Sequence, residues 1–92
     1  MDLQLKFAHN PTVMARVIGN ETVMLHLNSG TYFGLDPIGT QIWEMIEEGA
    51  PLTTICDALV AEYHQPRVKI EGDVQLLVQE LIDNKLIEPA SP

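Results

Sequence analysis

The chain has 92 residues, 46% of them hydrophobic, and its 13 acidic against five basic side chains give a formal charge of -8. That length fits one domain with a modest core, and the apolar content is too high for a disordered chain. The acidic balance repels phosphate backbones, no apolar run is long enough to cross a bilayer, and the single cysteine, Cys56, excludes an internal disulfide and a cysteine-rich metal site.

Along residues 1–12, Leu3, Leu5 and Phe7 alternate, which reads as an irregular arm or an extra strand before Asn10-Pro11. The N-terminus has no basic region followed by an apolar stretch, and the expected location is the cytoplasm. Val13 to Val17 has a short strand pattern that ends at the turn pair Gly19-Asn20. Thr22 to Leu27 alternates, with Val23, Leu25 and Leu27 on one face and Met24 and His26 on the other. Asn28-Ser29-Gly30 supplies the next reversal, and Thr31 to Phe33 returns as a third antiparallel strand with Tyr32 opposite its neighbours. Three short strands do not stand alone, so their apolar face needs helices against it.

Asp36-Pro37 is a helix start: the carboxylate accepts from orphan N–H groups, and proline at the first helical position loses no hydrogen bond. Ile38, Ile42, Trp43 and Ile46 form the inward stripe of that helix, while Gln41, Glu44, Glu47 and Glu48 face water and Gly49 ends it. Pro51 opens a second helix with Ile55, Ala58, Leu59 and Tyr63 inward, interrupted at His64-Gln65-Pro66. A last helix is expected from about Ile70 to Asp83, with Ile70, Val74, Leu77 and Leu81 as its core stripe and Leu76, Val78 and Ile82 widening the apolar arc. Asn84-Lys85 closes it, Leu86-Ile87 tucks back, and a proline-bearing tail follows over residues 89–92.

Catalytic chemistry has little to work with. His9, His26 and His64 fall on an arm, a strand and a helix end, without the i, i+4 spacing that puts two ligands on one helical face. Cys56 reads as a small, partly buried filler, and Glu44, Glu47 and Glu48 sit on a solvated face rather than in a cleft. No glycine pattern cradles a phosphate, so no cofactor and no metal is expected. The last two helices beside strands resemble a winged helix-turn-helix, but the would-be recognition helix carries Glu71, Asp73, Glu80 and Asp83, with Arg67, Lys69 and Lys85 all beyond its ends. The wide apolar arc beside an open strand edge instead suits an extended peptide, which adds as a strand while pockets take its side chains.

The segment Leu27-Asn-Ser-Gly-Thr-Tyr-Phe-Gly-Leu-Asp-Pro-Ile-Gly-Thr-Gln-Ile-Trp43 resembles the signature of the PqqD-like family. That family includes pyrroloquinoline quinone synthesis protein D and the stand-alone leader-binding proteins of lasso peptide pathways. The similarity continues through Leu52, Ile55, Leu59 and Tyr63, then Asp73-Val74, Leu77, Leu81 and Lys85-Leu86-Ile87, and spans residues 13–88. It implies an α+β, winged-helix-like domain, a three-stranded antiparallel sheet followed by three helices, serving as a RiPP recognition element without catalytic activity. Such an element holds the leader region of a ribosomally made precursor peptide and presents the rest to a modifying enzyme, a leader peptidase or a radical enzyme. Carried onto this chain, the resemblance makes Thr31, Tyr32, Phe33 and Gly34 the strand edge and Asp73, Leu76, Leu77 and Glu80 the helical side of the groove.

The aspartate cap common before the family's last helix is replaced near Gln65-Pro66, and Gly72 inside that helix costs about 1 kcal/mol relative to alanine. Gly30 to Leu35 is closer to the lasso-type members, while the later region also resembles the quinone-pathway members. The alternatives are therefore a carrier of the quinone-pathway type and a winged-helix regulator that binds nucleic acid. A structural subunit docking through its apolar arc is a further one. The expected partners are a leader peptide and a modifying enzyme, with neither nucleic acid nor membrane, in a monomer or a homodimer paired through the strand edge.

Overall fold

In the computed structural model, which describes residues 1–90, the chain runs β1 (Phe7–His9), β2 (Val13–Ile18), β3 (Glu21–His26), β4 (Thr31–Leu35), α1 (Pro37–Glu47), α2 (Leu52–Tyr63), α3 (Arg67–Asp83) and β5 (Ile87–Pro89). Strands β2, β3 and β4 form an antiparallel sheet in that order, and β1 pairs antiparallel with β5 in a separate two-stranded sheet. The architecture is α+β, with a three-stranded antiparallel sheet followed by three helices. The extra strand considered for the N-terminal arm is β1, and its Phe7 is buried in the common core. Of the tail expected at 89–92, residues 91–92 lie outside the described residues.

The sheet packs on the helices through Thr22, Met24 and His26 of β3 rather than through Val23, Leu25 and Leu27. Alternation alone fixes which residues share a face, not which face is covered. Here Met24 meets the helical layer at 1% exposure, and the Thr22 and Thr40 hydroxyls hydrogen-bond at 2.7 Å where β3 crosses α1. A hydroxyl pair that satisfies itself lets a polar residue occupy a core position at little cost. The turn to β4 needs Gly30 at φ +71, a conformation costly for residues with a Cβ.

Asp36 caps α1 through Oδ1, which accepts from the Gly39 N–H at 2.7 Å, with Pro37 next to it at the start of the helix. Ile42, Trp43 and Ile46 are buried as the stripe predicts, whereas Ile38 is partly open to solvent. In α2 the inward positions are Leu52, Ile55, Cys56 and Leu59; Ala58 faces out, contrary to expectation, because the buried arc is centred nearer Cys56. His64 ends α2 in the left-handed region at φ 55.

Helix α3 begins three residues before the expected Ile70. Pro66 provides no side-chain cap, and Arg67 bonds instead to Glu71 one turn on and to Asp57 of α2. Its buried stripe is Ile70, Val74, Val78 and Leu81, so Val78 takes the core position that the sequence reading assigned to Leu77. That rotation leaves Leu77 half-buried at the margin of the core. Leu86 and Ile87 return to the core, and Asn10 ties the closing turn through its side chain to the Lys85 carbonyl at 2.8 Å.

Candidate peptide-binding groove

Strand β4 is an edge of its sheet, and the hydrogen bonding shows which backbone groups are free. The Leu27 N–H donates to the Thr12 carbonyl at 2.9 Å, so the odd-numbered residues of β3 direct their backbone towards β2 and the even-numbered ones towards β4. The pairs His26–Thr31, Met24–Phe33 and Thr22–Leu35 are therefore the hydrogen-bonded ones. Tyr32 and Gly34 consequently turn their N–H and C=O groups to the open side. Those two residues offer two donors and two acceptors to an incoming strand.

Three hollows follow α3 and its C-terminal turn, and the second and third are lined by residues of β4. The first, about 400 Å³, opens between α1 and α3 over Ile38, Ile42, Ile70, Val74 and Leu77, with Asp36, Lys69 and Asp73 also lining it. The second, about 100 Å³, lies between Phe33, Gly34 and Leu35 on one side and Leu77 and Glu80 on the other. The third, about 490 Å³, is more polar and is lined by His26, Ser29, Thr31, Phe33, Asp83 and Lys85. Leu77 borders the first two and Phe33 the last two, so the hollows follow one trough. Five strand residues give the open edge a length of roughly 16 Å, enough for a short extended segment.

The residues singled out in the sequence divide by role. Thr31 and Phe33 send side chains into the trough, Tyr32 and Gly34 present backbone, and Asp73, Leu77 and Glu80 line it from α3. The Tyr32 side chain points to the opposite face of the sheet and is 70% exposed. Leu76 is 68% exposed and lines none of the three hollows. Asp73 is already paired with Lys69 at 2.9 Å, while Glu80 pairs with no cation among the described residues.

Sequence reasoning missed Ile38, Lys69 and His26 as trough residues. Ile38 carries a readable signal, an isoleucine in the exposed first turn of a capped helix. Lys69 and His26 carry none, because their position depends on how α3 and β3 are rotated.

Elsewhere the groups are structural. His9 stacks on Trp43 with centroids 3.5 Å apart and donates from Nε2 to the Trp43 carbonyl at 2.8 Å, clamping the N-terminal arm to α1. Burial pushes the Cys56 thiol up, against a smaller opposing pull from Arg67, which disfavours the reactive thiolate. No cluster of three or more metal-ligating side chains occurs among the described residues, and no helix among them is long and apolar enough to cross a membrane.

The model of the family described as coenzyme PQQ synthesis protein D matches residues 21–87, from β3 through the first residue of β5. The chain belongs to the PqqD family. No curated protein sequence matches it. Among solved structures, TbiB1 in complex with the TbiA(beta) leader peptide is 38% identical, covers 92% of this chain and 99% of that one, and superposes with a TM-score of 0.85. A lasso peptide synthetase B1 complexed with the leader peptide is 25% identical over 91% of this chain and 99% of its own, with a TM-score of 0.84. The matched family region contains β4, α3 and most of the trough-lining residues, and both similar chains share this fold over nearly their whole length.

Proposed function

We propose that this PqqD family member captures the leader segment of a ribosomally made precursor peptide and presents it to a modifying enzyme, having no catalytic activity itself. The leader adds as a strand to β4, bonding to the outward backbone groups of Tyr32 and Gly34. Apolar leader side chains enter the first two hollows against Leu77 and Phe33, and Glu80 attracts a basic residue. The observation that carries this reading is the open edge of β4 facing a continuous trough on α3. The likeness to two chains solved with leader peptides supports it. A lasso-type pathway fits better than a quinone pathway, since one of the two similar chains is a lasso peptide synthetase B1. The enzyme partner, a leader peptidase or a radical enzyme of the same pathway, acts with this chain in the cytoplasm.

Calorimetric titration with the leader encoded beside this chain's gene, and with the TbiA(beta) leader as a second probe, tests the reading. Saturable binding at micromolar affinity or tighter is expected; a folded protein that binds neither peptide refutes it. A homodimer formed through the same edge dissociates as leader is added, which sedimentation detects. Nucleic acid is the weaker reading, because Arg67 and Lys69 on α3 are committed to carboxylates.

A further inference from the structure

The helices cover only one face of the β2–β3–β4 sheet. Register places Met14, Arg16 and Ile18 of β2, Val23 and Leu25 of β3 and Tyr32 of β4 on the other face, around one shallow hollow of about 460 Å³. Met14, Ile18 and Tyr32 are 61%, 63% and 70% exposed, against 1% for Met24 on the helical side. A sheet face turned to water ordinarily carries polar residues, so an apolar one marks an interaction surface. Arg16 stands in the middle of this face, across from Val23, and makes no ion pair among the described residues. The carboxylate that shares the face, Glu21, lies at the hairpin end opposite Ile18.

Continuity and extent together decide what covers it. A strand added to the open edge of β4 prolongs this sheet, and its residues opposite Tyr32 and Gly34 point to the same face as those two. The outward side chains of a bound leader therefore join Tyr32, Val23 and Arg16 in one surface. Three strands of five or six residues make a face of roughly 15 by 20 Å, on the order of 300 Å², against the ~800 Å² that each partner of a stable complex buries. That is too little to hold a second copy, which also carries a charge of -8, whereas a partner that grips the leader as well gains the missing area. Resting on the peptide-binding reading above, we propose that this face docks the modifying enzyme, through an enzyme surface that is apolar and carries a carboxylate opposite Arg16. The enzyme reads carrier and leader as one sheet and so prefers the loaded chain to the empty one. By linkage, the enzyme tightens leader binding by the same factor.

The test titrates the modifying enzyme encoded beside this chain's gene into the intact chain by calorimetry, with and without a saturating amount of the leader encoded there. Variants on β2, the strand farthest from the added leader, separate the two surfaces. Arg16→Glu and Met14→Ser are expected to keep the parent's circular dichroism spectrum and to bind leader within about twofold of its affinity. Enzyme affinity for the loaded chain should fall roughly tenfold or more in Arg16→Glu and about threefold in Met14→Ser. The parent should bind enzyme at least about fivefold more tightly when loaded than when empty. No binding of the enzyme to the loaded parent, parental enzyme affinity in both folded variants, or equal affinity for loaded and empty chain overturns the proposal and leaves the peptide-binding reading intact. So does a parent that sediments as a dimer by itself and becomes monomeric in Met14→Ser, which gives the face to a second copy. Failure of the parent to bind leader overturns both.

Discussion

The Thr22 and Thr40 hydroxyls show how single side chains decide which face of the sheet is covered. Both are buried and satisfy each other at 2.7 Å, so removing one strands the other. Thr22→Val is expected to destabilise the fold by about 1–3 kcal/mol, and adding Thr40→Val recovers part of that loss. Chemical denaturation of the two single variants and the double variant measures the coupling; additive losses would mean that the pair contributes nothing specific. On α3, Leu77 and Leu76 are neighbours in sequence with opposite surroundings. Leu77 borders two hollows, while Leu76 stands in solvent at 68% exposure. Leu77→Ser should lower leader affinity by at least about tenfold, since a leucine-sized apolar contact is worth roughly 1.5–3 kcal/mol. Leu76→Ser should change it less than about twofold. Calorimetry on both decides whether the trough follows the Leu77 side of the helix.

For the elements, strand β4 and helix α3 make separable predictions. The Tyr32 N–H faces the open edge and its side chain faces away from the trough, so the two can be tested apart. Tyr32→Pro deletes an outward donor without touching the bonds to β3, a placement that edge strands tolerate. It should abolish measurable leader binding in a folded protein, while Tyr32→Ala should retain it; equal binding by both would move the peptide off this edge. In α3, Gly72 is exposed, and a Cβ added there meets nothing within 4 Å. Gly72→Ala is therefore expected to stabilise the protein by about 1 kcal/mol, read as a higher thermal midpoint with the same circular dichroism spectrum. The bonds from Arg67 to Glu71 and Asp57 explain how the helix starts early despite Pro66 and that glycine.

Across the whole molecule, the pairing of β1 with β5 closes the N-terminal arm against the return from α3. Phe7 of β1 is buried, His9 is clamped to Trp43, and the Asn10 side chain reaches the Lys85 carbonyl. The same closing turn, Asn84–Lys85, walls the third hollow, so the arm supports one end of the proposed site. Phe7→Ala should cost about 3–5 kcal/mol, as for other large-to-small core changes, and should shift the denaturation midpoint accordingly. Saturating leader should restore part of the lost stability, because a ligand at 100 times its Kd adds about 2.7 kcal/mol. A Phe7→Ala protein as stable as the parent would make the arm an accessory rather than part of the core.

Much of this was legible in local chemistry. Asp36-Pro37 announces a capped helix, Gly30 a tight reversal, and Ile42, Trp43 and Ile46 a buried stripe, because caps, turns and periodicity depend on residues a few positions apart. The signature from Leu27 to Trp43 carries the family, and the strand edge follows from the order of the hairpins. Tertiary structure alone decided the rest. Whether Met24 or Leu25 faces the helices, whether Val78 or Leu77 enters the core, and whether Cys56 or Ala58 does so each turn on the rotation of one element against another. A shift of one residue in a strand exchanges its faces, and in a helix it swings a side chain by about 100°. The same rotations bring His26 to the end of the trough and leave its Nε2 without a protein acceptor, a consequence of packing between segments far apart in the chain.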